Sequence, residues 1–244
     1  MADWDCTPYF MPNGQQIIAL CQKFNDRLTV SGRTMYFTLL DAATGKQIKE
    51  FGRTDVGGGF LTQGWYQIGA IAFSPDNRFI LTGDMGGRYK LWDISAGKFV
   101  RDLKIADELA GTLYGLMPSA SFSPDGRTAV VESIASNRLI DIATGKELAA
   151  MISFEDEEWI VITPEGYYNS SENGHRYLNV LEGNNLYAVE QFYDVFYRPD
   201  IVAAKLRGDD IRNLVTITMK EAIKSPPPAI VIAPVKERDS PQVK

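Results

Sequence analysis

Histidine and cysteine are scarce in this chain, with one histidine and two cysteines among 244 residues. A closed zinc site takes four Cys or His ligands, more than this inventory supplies, and two cysteines cannot frame a disulfide-built mini-protein. Cys6 and Cys21 both fall in strand-like segments and are expected to be reduced, half-buried residues. No metal or cofactor is expected. Long apolar runs are also missing: the longest, 68–73 and 229–235, have the length of strands, against the roughly 18 residues needed to cross a bilayer. The opening residues MADWDCTPYF lack the basic and apolar regions of a signal peptide. The expectation is therefore a cytoplasmic chain with no membrane partner. Nor is there a surplus of positive charge. With 25 Lys and Arg against 31 Asp and Glu the net charge is −6, which gives no basic face for a nucleic-acid backbone. What is present, 45% hydrophobic and 23% charged residues, is ordinary globular composition and excludes wholesale disorder.

The strongest positive signal is internal repetition. One marker is an aromatic or apolar residue, any residue, then Pro, an acid or amide, and Gly or Asn. It occurs at Phe10–Gly14, Phe73–Asn77 and Phe122–Gly126, and more loosely at Ile162–Gly166. The other is Asp followed by small residues and Gly-Lys, at Asp41–Lys46, Asp93–Lys98 and Asp141–Lys146. From marker proline to marker lysine the second and third copies measure 23 and 22 residues, and the first measures 34, so it carries an insertion. Proline presets φ for the first corner of a turn, Asp or Asn bonds its own backbone, and Gly takes the left-handed corner. Both markers therefore read as hairpin turns. Gly14, Asn77, Gly126 and Gly166 are predicted to have positive φ, with Asn the best non-glycine substitute there.

Between the turns lie short segments rich in β-branched and aromatic residues. The second unit gives strands at 69–74, 79–84, 88–94 and 98–103, and the third at 119–123, 129–134, 137–142 and 147–152. A less regular fourth unit gives 159–163, 166–170, 177–181 and 186–189. Four-stranded units repeated every 40 to 50 residues, roughly, predict a β-propeller. The fold class expected is all-β, a partial WD-type propeller of about four four-stranded blades at 6–51, 69–103, 119–152 and 157–190, within 1–190. A short helical extension is expected at 191–224. Pro199 suits the first helical position and Gly208 a stop, Asp209-Asp210 would cap a second helix carrying Ile211, Leu214, Val215, Met219, Ala222 and Ile223, and 188–197 offers a further helix. Residues 225–244 read as a Pro-rich tail or the start of a truncated accessory domain.

FSPDN with LWDISAGK, and FSPDG with LIDIATGK, resemble degenerate WD repeats over roughly residues 6–152. Trp92-Asp93 is the one intact copy of the naming dipeptide, and the repeats lack the family's buried histidine, since the chain's only histidine is His175. The run 154–200, with EEWIVITPEGYYNSS, RYLNV and EQFYDVFYRPDIV, is similar to the segment that closes the propeller in bacterial proteins coupling WD repeats to a caspase-like peptidase. The segment PPPAIVI at 226–232 is similar to the Pro-rich strand next in order in those proteins, and the peptidase itself is absent from these residues. The resemblance implies a regulatory or targeting segment of such a system.

Several residues invite a catalytic or ligand-binding role. Thr-Gly-Lys suggests a phosphate loop, but Leu40, Trp92 and Ile140 stand where that loop needs its first glycine, and Gln47, Phe99 and Glu147 follow the lysines in place of Ser or Thr. The acids at 155–158 are consecutive, whereas calcium loops alternate their ligands, so a solvated loop is expected. His175 sits in a polar loop with no serine or cysteine beside it in a triad-like order, and an exposed loop histidine is expected. Catalysis is therefore not expected.

Binding is expected on long loops instead. In a four-stranded meander the marker turns emerge on one face and the links to the next sheet on the other. The long segments 23–32, 52–68 and 104–118 fall on that second face. They contain Arg27, Arg53, Trp65, Tyr66, Glu108 and Tyr114, and Arg and aromatic side chains are the commonest interface anchors. The competing reading has Trp65 and Tyr66 covering the sheet edge beneath them. The expected function is a protein-interaction scaffold whose partner is a protein, either a caspase-like peptidase or another propeller segment. The rivals are a hydrolase working on the loop face and an orphan fragment of a larger WD-repeat protein. A row of sheets that does not close leaves apolar flanks, so self-association is expected too.

Overall fold

Each marker turn closes on its own backbone in the same way. The N–H groups of Gly14, Asn77, Gly126 and Gly166 donate to Met11, Ser74, Ser123 and Thr163 carbonyls at 2.9 Å each. Their φ values, 65°, 58°, 69° and 99°, all lie in the left-handed region, as the repeat alignment requires. In the second marker Gly45, Gly97 and Gly145 donate to the carbonyls of Asp41, Asp93 and Asp141 at 2.9, 2.8 and 2.7 Å. The carboxylate of each Asp accepts a further N–H, from Thr44, Ala96 and Thr144. A β-bulge precedes each of these aspartates at the same offset, at Leu39/Leu40, Leu91/Trp92 and Leu139/Ile140. The periodicity seen in the sequence is thus repeated in turn geometry and strand irregularity alike.

The computed structural model describes residues 5–24, 33–56, 68–84, 87–105, 118–133 and 136–225. Strands β1 (Asp5–Phe10), β2 (Gln16–Phe24), β3 (Arg33–Asp41) and β4 (Gln47–Val56) form one antiparallel meander. A second is made by β5 (Ile68–Phe73), β6 (Phe79–Asp84), β7 (Tyr89–Asp93) and β8 (Lys98–Asp102). The third begins with β9 (Ala120–Phe122), β10 (Thr128–Ser133), β11 (Ser136–Asp141) and β12 (Glu147–Ser153). The all-β class holds. Among the described residues no helix is long and apolar enough to cross a membrane.

The fourth unit does not form a separate four-stranded sheet. Its β13 (Trp159–Ile162) pairs with β12, and β14 (Tyr168–Ser170) with β13, so the third sheet has six strands in the order β14-β13-β12-β11-β10-β9. Its remaining strands, β15 (Asn179–Glu182) and β16 (Asn185–Ala188), make a hairpin of their own. Link length explains this. The first two sheets are each followed by a long link before the next begins, whereas the turn after β12 closes at once, with Phe154 N–H donating to Glu158 C=O at 2.8 Å and Glu157 at φ 67°. A turn this tight returns the chain along β12.

The sheets stack through two shared cores. One face of the first sheet, with Ile18, Leu20, Met35, Phe37 and Phe51, meets Ile80, Trp92 and Ile94 of the second. Phe37 lies edge-on to Trp92 at 5.4 Å, and Lys49 Nζ crosses to the carbonyls of Ile94 and Ser95 at 3.1 and 2.7 Å. Trp92 Nε1 donates to Thr82 Oγ1 within its own sheet, at 3.0 Å. The second and third sheets share Leu81, Tyr89, Leu91 and Leu103 with Ala129, Val131, Ile140 and Ile142.

Cys6 and Cys21 are joined, contrary to the reduced state expected. They are directly opposite in β1 and β2 with Cα atoms 4.0 Å apart, so cross-strand register brings the sulfurs together.

Beyond the sheets a third core packs Ile160, Tyr167 and Tyr168 against the C-terminal segment, chiefly Phe192, Phe196, Ile201 and Val202. Helix α1 (Tyr193–Phe196) covers part of the expected 188–197 helix, and α2 (Pro199–Leu206) starts on Pro199 and stops before Gly208 at φ 80°. The second expected helix shrinks to the single turn α3 (Met219–Ala222). The run Val215-Thr216-Ile217-Thr218 is β-branched throughout and disfavours helix. Tyr167 also claims its backbone: the hydroxyl donates to Ile217 C=O at 2.7 Å and accepts Thr216 N–H at 3.2 Å.

Candidate functional site

Of the six loop residues expected to bind a partner, Arg53 is described, while Arg27, Trp65, Tyr66, Glu108 and Tyr114 lie outside the described residues. Arg53 is exposed on β4, donates to Glu50 at 2.7 Å and stacks over Tyr36 at 4.8 Å. It borders a groove of about 590 Å³ shared with Lys90 and Phe99 on the outer edge of the second sheet. The roots of the long segments do leave the first sheet from one end, since Phe24 pairs with Arg33 and Arg33 with Val56.

The other singled-out residues serve structure. His175 lies in a 3₁₀ turn, Gly174–Tyr177, with its side chain largely covered and Nε2 at 3.8 Å from Glu190. It is therefore not the exposed loop histidine expected. In the acidic run, Glu158 accepts the Ser171 hydroxyl, the Asn173 side-chain amide and the Asn173 N–H. These bonds, led by Ser171, hold its carboxyl below the usual range. The run is a tied turn.

A cleft of about 1080 Å³ opens on the opposite face, where the marker turns emerge, between the second and third sheets and the end of α2. Its apolar lining comes from Phe79, Leu91, Val100 and Ile142, and its charged groups are Arg78, Arg101, Arg127 and Arg207 against Asp93, Asp125 and Asp141. The three carboxylates face their own turns. Asp125 accepts the Ser123 hydroxyl at 2.6 Å and Arg127 N–H at 3.0 Å, and the hydroxyl bond is the main reason its pKa lies low. Burial pushes Asp93 up, but the Ala96 N–H, the Ser95 hydroxyl and Arg78 outweigh it and hold it low. Asp141 takes both the N–H and the hydroxyl of Thr144 at 2.6 Å.

The arginines are less fully engaged. Arg78 bonds Asp93 at 3.2 Å and covers Phe79, and Arg207 bonds Asp209 at 2.7 Å. The stem of Arg101 lies on Gly145, where an added Cβ would approach its Cδ to 2.8 Å, and its Nε is buried with no hydrogen-bond partner. Among the described residues neither Arg101 nor Arg127 forms an ion pair within 4.0 Å. The sequence did carry a signal for this cleft: arginine follows the marker turn in both FSPDNR and FSPDGR.

Repeated antiparallel meanders with matching turns and bulges make the chain an all-β array of antiparallel sheets. No protein-family model matches the sequence, and no curated protein matches it. Among solved structures, that of U3-55K superposes with a TM-score of 0.44 at 10% identity, over 70% of this chain and 52% of that one. This chain thus spans about half the length of that protein.

Proposed function

We propose that this chain is a non-catalytic protein-interaction scaffold in the cytoplasm, a regulatory or targeting segment related to bacterial caspase-like peptidase systems. The observation carrying the interaction role is the flank of the first sheet that no other described sheet or helix covers. Strand alternation sends Ile18, Leu20, Met35 and Phe37 into the core with the second sheet, and leaves Phe10, Ile17, Leu40 and Ile48 on the other face. None of these four belongs to any of the three cores, and Phe10 and Ile48 are 69% and 53% exposed. A terminal sheet in a stacked array needs a polar outer face to stay alone in water, and this one carries Phe10, Ile17, Leu40 and Ile48 beside Tyr36, Thr38 and Glu50. The peptidase relationship rests on the resemblance of residues 154–200.

The test is calorimetric titration of the chain with the caspase-like peptidase encoded nearest to it, alongside light scattering of the chain alone. Phe10→Glu with Ile48→Glu should abolish complex formation or self-association at unchanged melting temperature. A chain that is monomeric and also indifferent to the peptidase refutes the proposal, and a complex unaffected by the double variant removes the flank from it.

A further inference from the structure

We infer that the cleft between the second and third sheets binds an acidic peptide segment of a partner protein, with Arg101 and Arg127 receiving its carboxylates. This rests on the scaffold reading above and gives it a second, chemically distinct contact. Charge complementarity supports it. The chain as a whole is at −6, yet the cleft holds four arginines against three aspartates. Those aspartates spend their lone pairs on Ser95, Ala96, Ser123, Arg127 N–H and Thr144. With Arg78 bonded to Asp93 and Arg207 to Asp209, the guanidinium donors left for a bidentate carboxylate are those of Arg101 and Arg127.

Shape narrows the ligand further. Leu91 and Ile142 give the cleft an apolar base, Val100 and Phe79 its walls, and the volume of about 1080 Å³ is open to solvent along one side. Enclosed small-molecule pockets span roughly 300 to 1,000 Å³ and bury most of their ligand. An open trough with apolar walls and guanidinium rims suits an extended peptide alternating acidic and apolar side chains. A nucleic acid, with a charge at every residue, would meet the acidic remainder of the surface.

The geometry also fixes which changes are informative. Arg127 is exposed at the end of its turn, so Arg127→Ala removes charge with little packing. The stem of Arg101 fills the space over Gly145, so Arg101→Met keeps the stem and removes the guanidinium. Arg198, at the other end of α2 and paired with Asp200 at 2.7 Å, serves as an unrelated control.

The experiment is fluorescence anisotropy of the whole chain with a labelled peptide of about ten residues alternating Glu and Leu, a length set by the extended reach of about 3.3 Å per residue. Arg127→Ala and Arg101→Met should each weaken binding about tenfold, the equivalent of one charge-assisted hydrogen bond. Arg198→Ala should leave it unchanged, and salt should weaken it. A Gln-Leu peptide binding as tightly as the Glu-Leu one, an Arg101→Met/Arg127→Ala double variant binding like the parent, or equal competition by single-stranded oligonucleotide overturns the assignment. The Phe10→Glu/Ile48→Glu variant separates the two proposals. Peptide binding that survives in it supports the cleft whatever becomes of the flank, and absence of peptide binding in a parent chain that still associates through its flank removes the cleft alone.

Discussion

Tyr89 is a polar fastener between the second and third sheets, and Tyr89→Phe isolates what it contributes. The side chain is 1% exposed, and its hydroxyl lies 3.0 Å from Ser119 C=O and 2.7 Å from Glu132 C=O, both on the third-sheet side. Phenylalanine keeps the ring and removes the donor. Ser119 C=O retains the N–H of Glu132 at 3.1 Å, so one acceptor at most is orphaned and the cost falls at about 1–2 kcal/mol. For a chain of this length that corresponds to a melting-point drop of roughly 3–6 °C. Gly83 provides an independent check, because a Cβ there would stand 2.5 Å from Tyr89 Cε1. Gly83→Ala should therefore cost about 1–3 kcal/mol as overpacking. In a Tyr89→Ala background that clash is gone, so the pair should be clearly less destabilising than the sum of the singles. Urea unfolding followed by tryptophan fluorescence reads all of these, since Trp92 is buried in the neighbouring core. A Tyr89→Phe variant within about 0.3 kcal/mol of the parent, or strict additivity of the Gly83 and Tyr89 changes, would refute the account of how these sheets are joined.

Alkali should unfold the chain as tyrosines ionise. Burial raises Tyr89 above the ordinary phenol value and, with the negative charges of Tyr193, Glu190 and Tyr197 added, pushes Tyr168 up to about 12. Stability from a raised pKa is complete below the unfolded value near 10 and is lost as pH climbs through the folded one. Phenolate absorbance should therefore show Tyr89 and Tyr168 titrating late, in step with loss of far-ultraviolet structure, and early titration of both would contradict their burial. Reducing the Cys6–Cys21 bond, which spans 15 residues, should cost about 3 kcal/mol in denaturant titrations, and an unchanged midpoint would argue against the link. Gly126→Ala should cost about 1–2 kcal/mol from the left-handed φ of 69° alone, because the nearest atom to its new Cβ, Pro75 Cδ, is at an ordinary 3.5 Å. A neutral Gly126→Ala would mean that the turn relaxes to negative φ.

Turns and strands were legible because each rests on a few adjacent residues. Asn77 at φ 58° and the bulges before Asp41, Asp93 and Asp141 follow from local chemistry repeated in the chain. Sheet membership was less so. The strand segment at Trp159 was recognisable, but its pairing with β12 depends on a turn too tight to let the chain start a new sheet. The helix anticipated through Ile223 failed for a long-range reason, the capture of Thr216 and Ile217 by Tyr167 some 49 residues earlier. The disulfide needed the register of β1 on β2, which the spacing of Cys6 and Cys21 does not state. The cleft draws on the second sheet, the third sheet and α2, and the two marker arginines alone gave no hint that Arg101 joins them.

The two ends of the array are finished differently, and this limits how copies can assemble. At the C-terminal end Phe192, Phe196, Ile201 and Val202 cover Ile160, Tyr167 and Tyr168. At the other end Phe10 and Ile48 stand open. Head-to-tail growth would need the open flank of one copy to meet a matching apolar face on the next, and at the capped end Phe192, Phe196, Ile201 and Val202 are already engaged in the core. The flank can meet itself, a two-fold contact that uses both surfaces and stops at two copies. A partner protein bound at the flank, as proposed above, would compete for the same face. Light scattering across a concentration series should therefore show monomer and dimer, with the dimer displaced by partner and lost in Phe10→Glu/Ile48→Glu. A ladder of larger species would mean that the C-terminal cap opens or that the Leu181 and Leu186 pair on the β15–β16 hairpin, each 67% exposed, supplies a second contact. Leu181→Ser with Leu186→Ser separates these, since it collapses the ladder in the second case and leaves it intact in the first.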